Sequence, residues 1–108
     1  MTLLAKKEIA DWIEANSAWR LEDEKLMLSL KFENFSMAWG FMSRVALLAE
    51  QQDHHPNWYN VYSIVQIRLS SHDANGITER DFALVRSIDH YLANELHTDL
   101  PATPISST

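Results

Sequence analysis

Apolar and polar residues change their repeat several times along this chain, and each change marks a boundary between elements. In residues 6–16, Ile9, Trp12 and Ile13 recur at i, i+3 and i+4, the spacing of one helical face. From Trp19 the period drops to two. Trp19 and Leu21 predict a short strand and Glu22-Asp-Glu-Lys25 a polar turn. Leu26, Leu28, Leu30 and Phe32 then alternate with Met27, Ser29 and Lys31, which predicts a second strand with one buried face. Asn34 is placed to cap a long helix running to about Gln52. Phe35, Ala38, Trp39, Phe41, Met42, Val45, Ala46, Leu48 and Ala49 occupy more than one stripe of that helix. A helix apolar over so much of its circumference needs cover on two sides. One side can be its own sheet; a second subunit is expected on the other.

Period two returns over residues 58–71. Val61, Val65, Ile67 and Leu69 share one parity, and Trp58, Asn60, Tyr62, Gln66, Arg68 and His72 share the other. A straight strand from Trp58 to His72 would run roughly 46 Å at about 3.3 Å per residue. That is longer than a domain of this size is wide, so a bend or break is expected near Asn60–Ser63. Asp73-Ala-Asn-Gly76 reads as a turn in which Asn75 and Gly76 can both take positive φ. Thr78-Glu-Arg-Asp81 has the form of a capping box opening a last helix with Phe82, Val85, Ile88 and Leu92 on its core face. Residues 98–108 are expected to form a disordered tail behind a single domain over 1–97. The order α-β-β-α-β-α, with amphipathic helices throughout, predicts an α+β fold: an antiparallel sheet with three helices packed on one face and the last strand region bent or broken.

Composition narrows the function. A chain of 108 residues holds one core and no separate regulatory module. The formal net charge of −6 argues against nucleic acid as the main partner, because such binding rests on clustered Lys and Arg. With no cysteine, disulfides, Cys-ligated zinc and thiol catalysis are excluded, and the chain suits a reducing cytosol. The N-terminal apolar run is too short for a signal peptide, and no segment is long and apolar enough to span a membrane. A cytoplasmic protein is the expectation.

The candidate chemistry is concentrated in His54-His55-Pro56, with Glu50 before it and His72 after it. Imidazoles exchange protons near neutral pH, and their unperturbed pKa of about 6.5 suits them to general acid–base work. Pro56 biases His55 toward an extended backbone, so the long helix should end in a rigid corner that displays both rings. Three histidines and a water could also make a catalytic zinc site. The spacing argues against it: adjacent His54 and His55 cannot easily face one ion, and no His-x-x-x-His or His-x-His pair is present. Each residue also has a plain structural use. His54 and His55 can end a helix against its dipole, His72 can sit in a turn, Glu50 can be a solvated carboxylate, Asp81 can cap its helix, and Trp58 and Tyr62 can pack. His90 falls on the polar side of the last helix, and His97 in the tail.

Taken together, Glu50, His54-His55-Pro56, Tyr62, His72 and Asp81 resemble the signature of the pterin-4a-carbinolamine dehydratase family, with every spacing matching. Gly40-Phe-Met-Ser-Arg-Val-Ala-Leu-Leu-Ala-Glu50, Trp58-Tyr-Asn-Val-Tyr62 and Gly76-Ile-Thr-Glu-Arg-Asp81 extend the likeness over about residues 32–91. Asn75 stands where the family often has glycine. The resemblance implies an α+β fold and a hydro-lyase that removes water across C4a and N5 of 4a-hydroxytetrahydropterin to give quinonoid dihydropterin. The implied role is recycling of the tetrahydropterin used by an aromatic amino acid hydroxylase. It also implies no metal, no organic cofactor, and a homodimer or homotetramer. By carry-over, His54 and His72 are the principal acid–base pair, and His55 binds substrate and serves as the proton donor for one stereoisomer. Glu50, Pro56, Trp58, Tyr62 and Asp81 would shape or support the pterin pocket. Two alternatives stay open: a non-catalytic dimerisation partner of a regulatory protein, and a metal-dependent enzyme on the same histidines.

Overall fold

The computed structural model describes residues 3–15, 18–94 and 103–104. The elements are α1 (Lys6–Ala15), β1 (Trp19–Glu22), β2 (Lys25–Lys31), α2 (Phe35–Gln52), β3 (Asn57–Val61), β4 (Ile64–Leu69), a short 3-10 turn (His72–Ala74), α3 (Glu79–Asn94) and β5 (Thr103–Pro104). The four longer strands form an antiparallel sheet in the order β1-β2-β4-β3. β5 adds two residues beside Leu30 and Lys31, within the segment expected to be a disordered tail; the rest of that segment lies outside the described residues, as does His97.

Register explains which face meets the helices, although Met27 and Ser29 on the opposite face of β2 are buried too, so that strand lacks the single buried face expected of it. Trp19 pairs with Leu28, Leu28 with Ile67 and Ile67 with Trp58, so these four side chains share one face of the sheet. Leu26, Leu30, Val65 and Leu69 lie on the same face and join Ala38, Phe41, Val45, Phe82, Leu84, Val85 and Ile88 of the helices in one core. The predicted layering of helices on a single face is therefore present. Trp12 of α1 meets Phe82 of α3 edge to face at 4.9 Å, and Phe41 of α2 contacts both Phe32 and Tyr91.

The region 58–71 breaks where its length demanded, but the break is a full reversal. β3 and β4 form a hairpin around Tyr62 and Ser63, giving seven principal elements rather than six. The reversal also corrects one face assignment. Val61 pairs with Ile64 and is exposed, on the sheet face opposite Val65, Ile67 and Leu69, whereas Asn60 pairs with Val65 and shares the core face. A two-residue turn resets the alternation, so parity read straight through it fails. Tyr62 takes φ 50°, unusual for a bulky residue. The turn is held by Asn60, whose amide donates to the carbonyls of Tyr62 and Ile64, and by the Phe32 N–H on the Ser63 carbonyl.

α2 has the two apolar sides expected of it. Ala38, Phe41, Val45, Leu48 and Ala49 face the core. Phe35, Trp39 (55 % exposed) and Leu47 (65 % exposed) form a second, uncovered stripe. Asn34 is the N-cap: extended at φ −155°, its Oδ1 accepts the Met37 N–H at 2.9 Å.

Candidate active site

Each histidine loop is built by a local stop signal. α2 ends at Asp53, which sits in the left-handed region at φ 51°, ψ 44°. The Asp53 N–H donates to the Glu50 carbonyl and the His54 N–H to the Ala49 carbonyl, the paired bonds of a Schellman closure. The His54 backbone is thus fixed by the helix it follows. Pro56, buried, leads straight into β3. On the other side, β4 runs through Ser70 and Ser71 into the 3-10 turn that starts at His72 and is closed by Asn75 at φ 56°. Asn75 therefore adopts the positive φ expected of it. Gly76 does not; a Cβ there would lie 2.8 Å from Leu3 Cδ2, the end of an exposed side chain that would have to shift.

These two loops and the start of α3 enclose a cleft of about 300 Å³ lined by His54, His55 and His72 together with Ser70, Asp73 and Arg80. His54 is 6 % exposed, and its Nε2 lies 2.5 Å from Oδ1 of Asp81, a residue with no exposure at all. Oδ2 of Asp81 accepts the Ser71 hydroxyl at 2.9 Å and the Thr78 backbone N–H at 2.8 Å. The capping box and the support of a neighbour, weighed as alternatives from sequence, are both present on one carboxylate.

Proton directions follow from this network. Ser71 Oγ donates to Asp81, so the 2.7 Å contact between Ser71 Oγ and Thr78 Oγ1 runs from threonine to serine, and Thr78 Oγ1 accepts from the Arg80 N–H. A carboxylate receiving two donors on one oxygen presents an acceptor to His54 on the other. With Asp81 as the carboxylate, Nε2 of His54 is the donor of this pair, and Nδ1 is the ring nitrogen that Asp81 does not engage.

His55 is exposed, with Nε2 2.9 Å from Glu50 Oε1. His72 is exposed on the cleft wall, and no bond to its ring is made by the described residues. Among those residues no three His, Asp or Glu side chains converge as they would on a metal ion. Trp58 and Tyr62 do not line the cleft. Trp58 sits on the core face of the edge strand, half uncovered, and Tyr62 is at the far end of the hairpin, 64 % exposed. Sequence reasoning missed Ser71 and Arg80. Ser71 directly precedes His72, and Arg80 lies inside the capping box, which was the available signal for each. His90 is exposed and bonded to Asn94, away from the cleft.

Among the described residues, no helix is long and apolar enough to cross a membrane. Comparison with known proteins places the chain in a family. The pterin 4 alpha carbinolamine dehydratase family profile matches residues 2–91, further toward the N-terminus than the motif-bearing segment alone. A protein of Prochlorococcus marinus, provisionally named pterin-4-alpha-carbinolamine dehydratase, is 45 % identical over 89 residues, covering 82 % of this chain and 94 % of its own length. One of Paraburkholderia xenovorans with the same provisional name is 45 % identical over 92 residues, covering 83 % and 96 %. The crystal structure of a transcriptional coactivator/pterin dehydratase from Brucella melitensis superposes with a TM-score of 0.79 at 37 % identity, covering 85 % of this chain and all of that one. With the profile spanning most of the sequence and the histidine cleft assembled at its centre, this chain belongs to the pterin 4 alpha carbinolamine dehydratase family.

Proposed function

We propose that the protein dehydrates 4a-hydroxytetrahydropterin to quinonoid dihydropterin by histidine general acid–base catalysis, within tetrahydropterin recycling. The observation that carries this reading is the buried His54–Asp81 pair facing a cleft that also holds His55 and His72. In the reaction the C4a–O bond breaks, the departing hydroxyl gains a proton and leaves as water, the N5–H proton is removed, and its electron pair completes a C4a=N5 double bond. One base and one acid must act on adjacent atoms. His54 fits the base: Nδ1 takes the N5 proton, and Asp81 stabilises the positive charge that develops on the ring. His72, open to solvent, fits the acid toward the hydroxyl and can regain its proton from water. His55, tethered to Glu50, fits substrate binding and proton delivery to the other C4a stereoisomer. No step in this scheme calls on a metal or organic cofactor.

The same reading includes self-association. The uncovered stripe of α2 and the exposed Tyr59 and Val61 on edge strand β3 are apolar surfaces that a second copy would cover. The Brucella melitensis relative is also named a transcriptional coactivator, so a binding role on such a surface is the second reading. The cytoplasm and an aromatic amino acid hydroxylase client are the expected setting.

Turnover of chemically generated 4a-hydroxytetrahydropterin, followed by ultraviolet absorbance with and without a chelator, tests the proposal. Acceleration over spontaneous dehydration that survives the chelator, and is lost in His54→Ala and His72→Ala, is the expected result. Full activity in either variant would overturn the acid–base assignment, and no acceleration by folded wild type would favour the binding role.

A further inference from the structure

Arg80 ties together the two segments that carry the histidines. Its Nη2 donates to the Asp53 carbonyl at 3.0 Å, on the residue before His54. Its Nη1 lies 3.6 Å from Asp73 Oδ2, on the residue after His72. The first turn of α3 therefore holds the site twice: from behind, Asp81 fixes His54, and at the rim Arg80 spans both loops.

Stability is a poor reason for this arrangement. The Arg80 side chain is 37 % exposed and that of Asp73 67 %, and ion pairs so open to water are strongly screened. A bridge between loops sets a distance instead. A guanidinium addresses two acceptors at once in one plane, whereas the ammonium of lysine is a point charge on a flexible stem.

We propose that Arg80 is a positioning residue for the dehydration: by bridging the Asp53 carbonyl and the Asp73 carboxylate, it sets the separation between the His54–His55 corner and His72. This rests on the dehydratase reading. Removing the N5 proton and protonating the 4a-hydroxyl are transfers at neighbouring atoms, so the two imidazoles must be spaced to serve both. A displacement of about 1 Å in such a constellation can slow turnover by about 10²-fold.

The test compares wild type with Arg80→Met, Arg80→Lys, Asp73→Asn and the Arg80→Met/Asp73→Asn double variant. Arg80→Met should lower kcat by about ten- to a hundredfold while KM moves less than about threefold, in line with loss of positioning. Arg80→Lys should recover part of the loss, and the double variant should be no slower than Arg80→Met alone. A folded Arg80→Met with wild-type kcat overturns the proposal, as do multiplying losses in the double variant. A rise in KM alone also overturns it, making Arg80 a substrate-binding group. The imidazole proton NMR signals of the free protein give a readout independent of turnover. Arg80→Met should shift or broaden those of His54 and His72, and unchanged signals refute the clasp. If wild type fails to accelerate dehydration while these signals still respond, the functional reading falls and the clasp stands.

Discussion

Replacing Asp81 by asparagine would separate its two roles, because it removes a charge and one acceptor while keeping the shape. The carboxylate receives three donors: His54 Nε2–H at 2.5 Å, the Ser71 hydroxyl at 2.9 Å and the Thr78 N–H at 2.8 Å. An amide has one oxygen and one NH₂ group, so it cannot serve all three. With the oxygen toward Ser71 and Thr78, the NH₂ group faces His54 and is satisfied only if Nε2 gives up its proton, which moves that proton to Nδ1 and blocks the base. With the amide reversed, NH₂ meets the Thr78 N–H and the Ser71 hydroxyl, and the orphaned buried Thr78 donor costs about 1–3 kcal/mol. The first orientation therefore wins, and the variant should fold with its helix cap intact and the wrong His54 tautomer. The expected loss in kcat is about 10²–10⁴-fold, the range of a general base, with little change in KM. Asp81→Ala, by contrast, strips the Thr78 N–H and His54 of their buried partner and should lower stability by about 3–5 kcal/mol. Stopped absorbance turnover and urea midpoints read the two effects apart. Asp81→Asn with kcat within about threefold of wild type would refute the tautomer reasoning and leave Asp81 as a cap alone.

Further outcomes follow from three other parts of the fold. Asp89 accepts the Trp19 indole N–H at 2.8 Å, and burial raises its carboxyl above the ordinary value while that bond pulls it down. A raised folded value contributes stability that is full below the unfolded value and is lost as pH rises through the folded one. Asp89→Asn should thus gain on wild type between acid and neutral pH in urea titrations, and losing ground there would sink the assignment; Asp89→Leu should lose about 1–3 kcal/mol through an orphaned indole. Gly40 lies mid-helix on the outer side of α2 with nothing within 4 Å of an added Cβ, so Gly40→Ala should stabilise a monomer by about 0.5–1 kcal/mol. If thermal midpoints fall instead, and the fall grows with protein concentration, a second helix approaches closely at Gly40. Trp39→Glu should shift sedimentation toward monomer if the uncovered stripe mediates self-association, and an unchanged profile would remove that stripe from the interface.

Much of the fold was legible because its signals are local. The alternation of Leu26, Leu28 and Leu30, the cap at Asn34 and the helix face of Phe82, Val85 and Ile88 each need only a few neighbouring residues to be read. The β3–β4 hairpin was less legible. Its turn is Tyr62-Ser63, with no glycine, asparagine or proline to announce it, and Tyr62 takes its positive φ in a turn held by Asn60 and Phe32. Chain length located the break, but parity could not follow the chain around it. Leu84 and Tyr91 of α3 were missed in the core for a related reason: a helix wedged against both α1 and α2 buries more than one stripe.

The candidate site shows the same division between local and long-range information. His54 follows a helix closure, His72 opens a turn closed by Asn75, and Asp81 is the third residue of α3 and closes its cap. Each of those devices could be expected from a handful of neighbouring residues. What no local pattern contains is that the Asp81 carboxylate points one oxygen into its own cap and the other at an imidazole 27 positions earlier in the chain. That contact exists because α3 packs on α2 so that its first turn meets the end of α2, and it joins a helix closure and a helix cap into the pair on which the proposed acid–base mechanism rests. The proposed chemistry then depends on the docking of α3 as much as on the histidines. A substitution that loosens that docking without touching the cleft, such as Ile88→Ala on the buried face of α3, should lower stability by about 2–5 kcal/mol. It should also make turnover fall with temperature well before global unfolding. Activity that instead tracks the folded fraction up to the melting point would show that the cleft is held by its own loops alone.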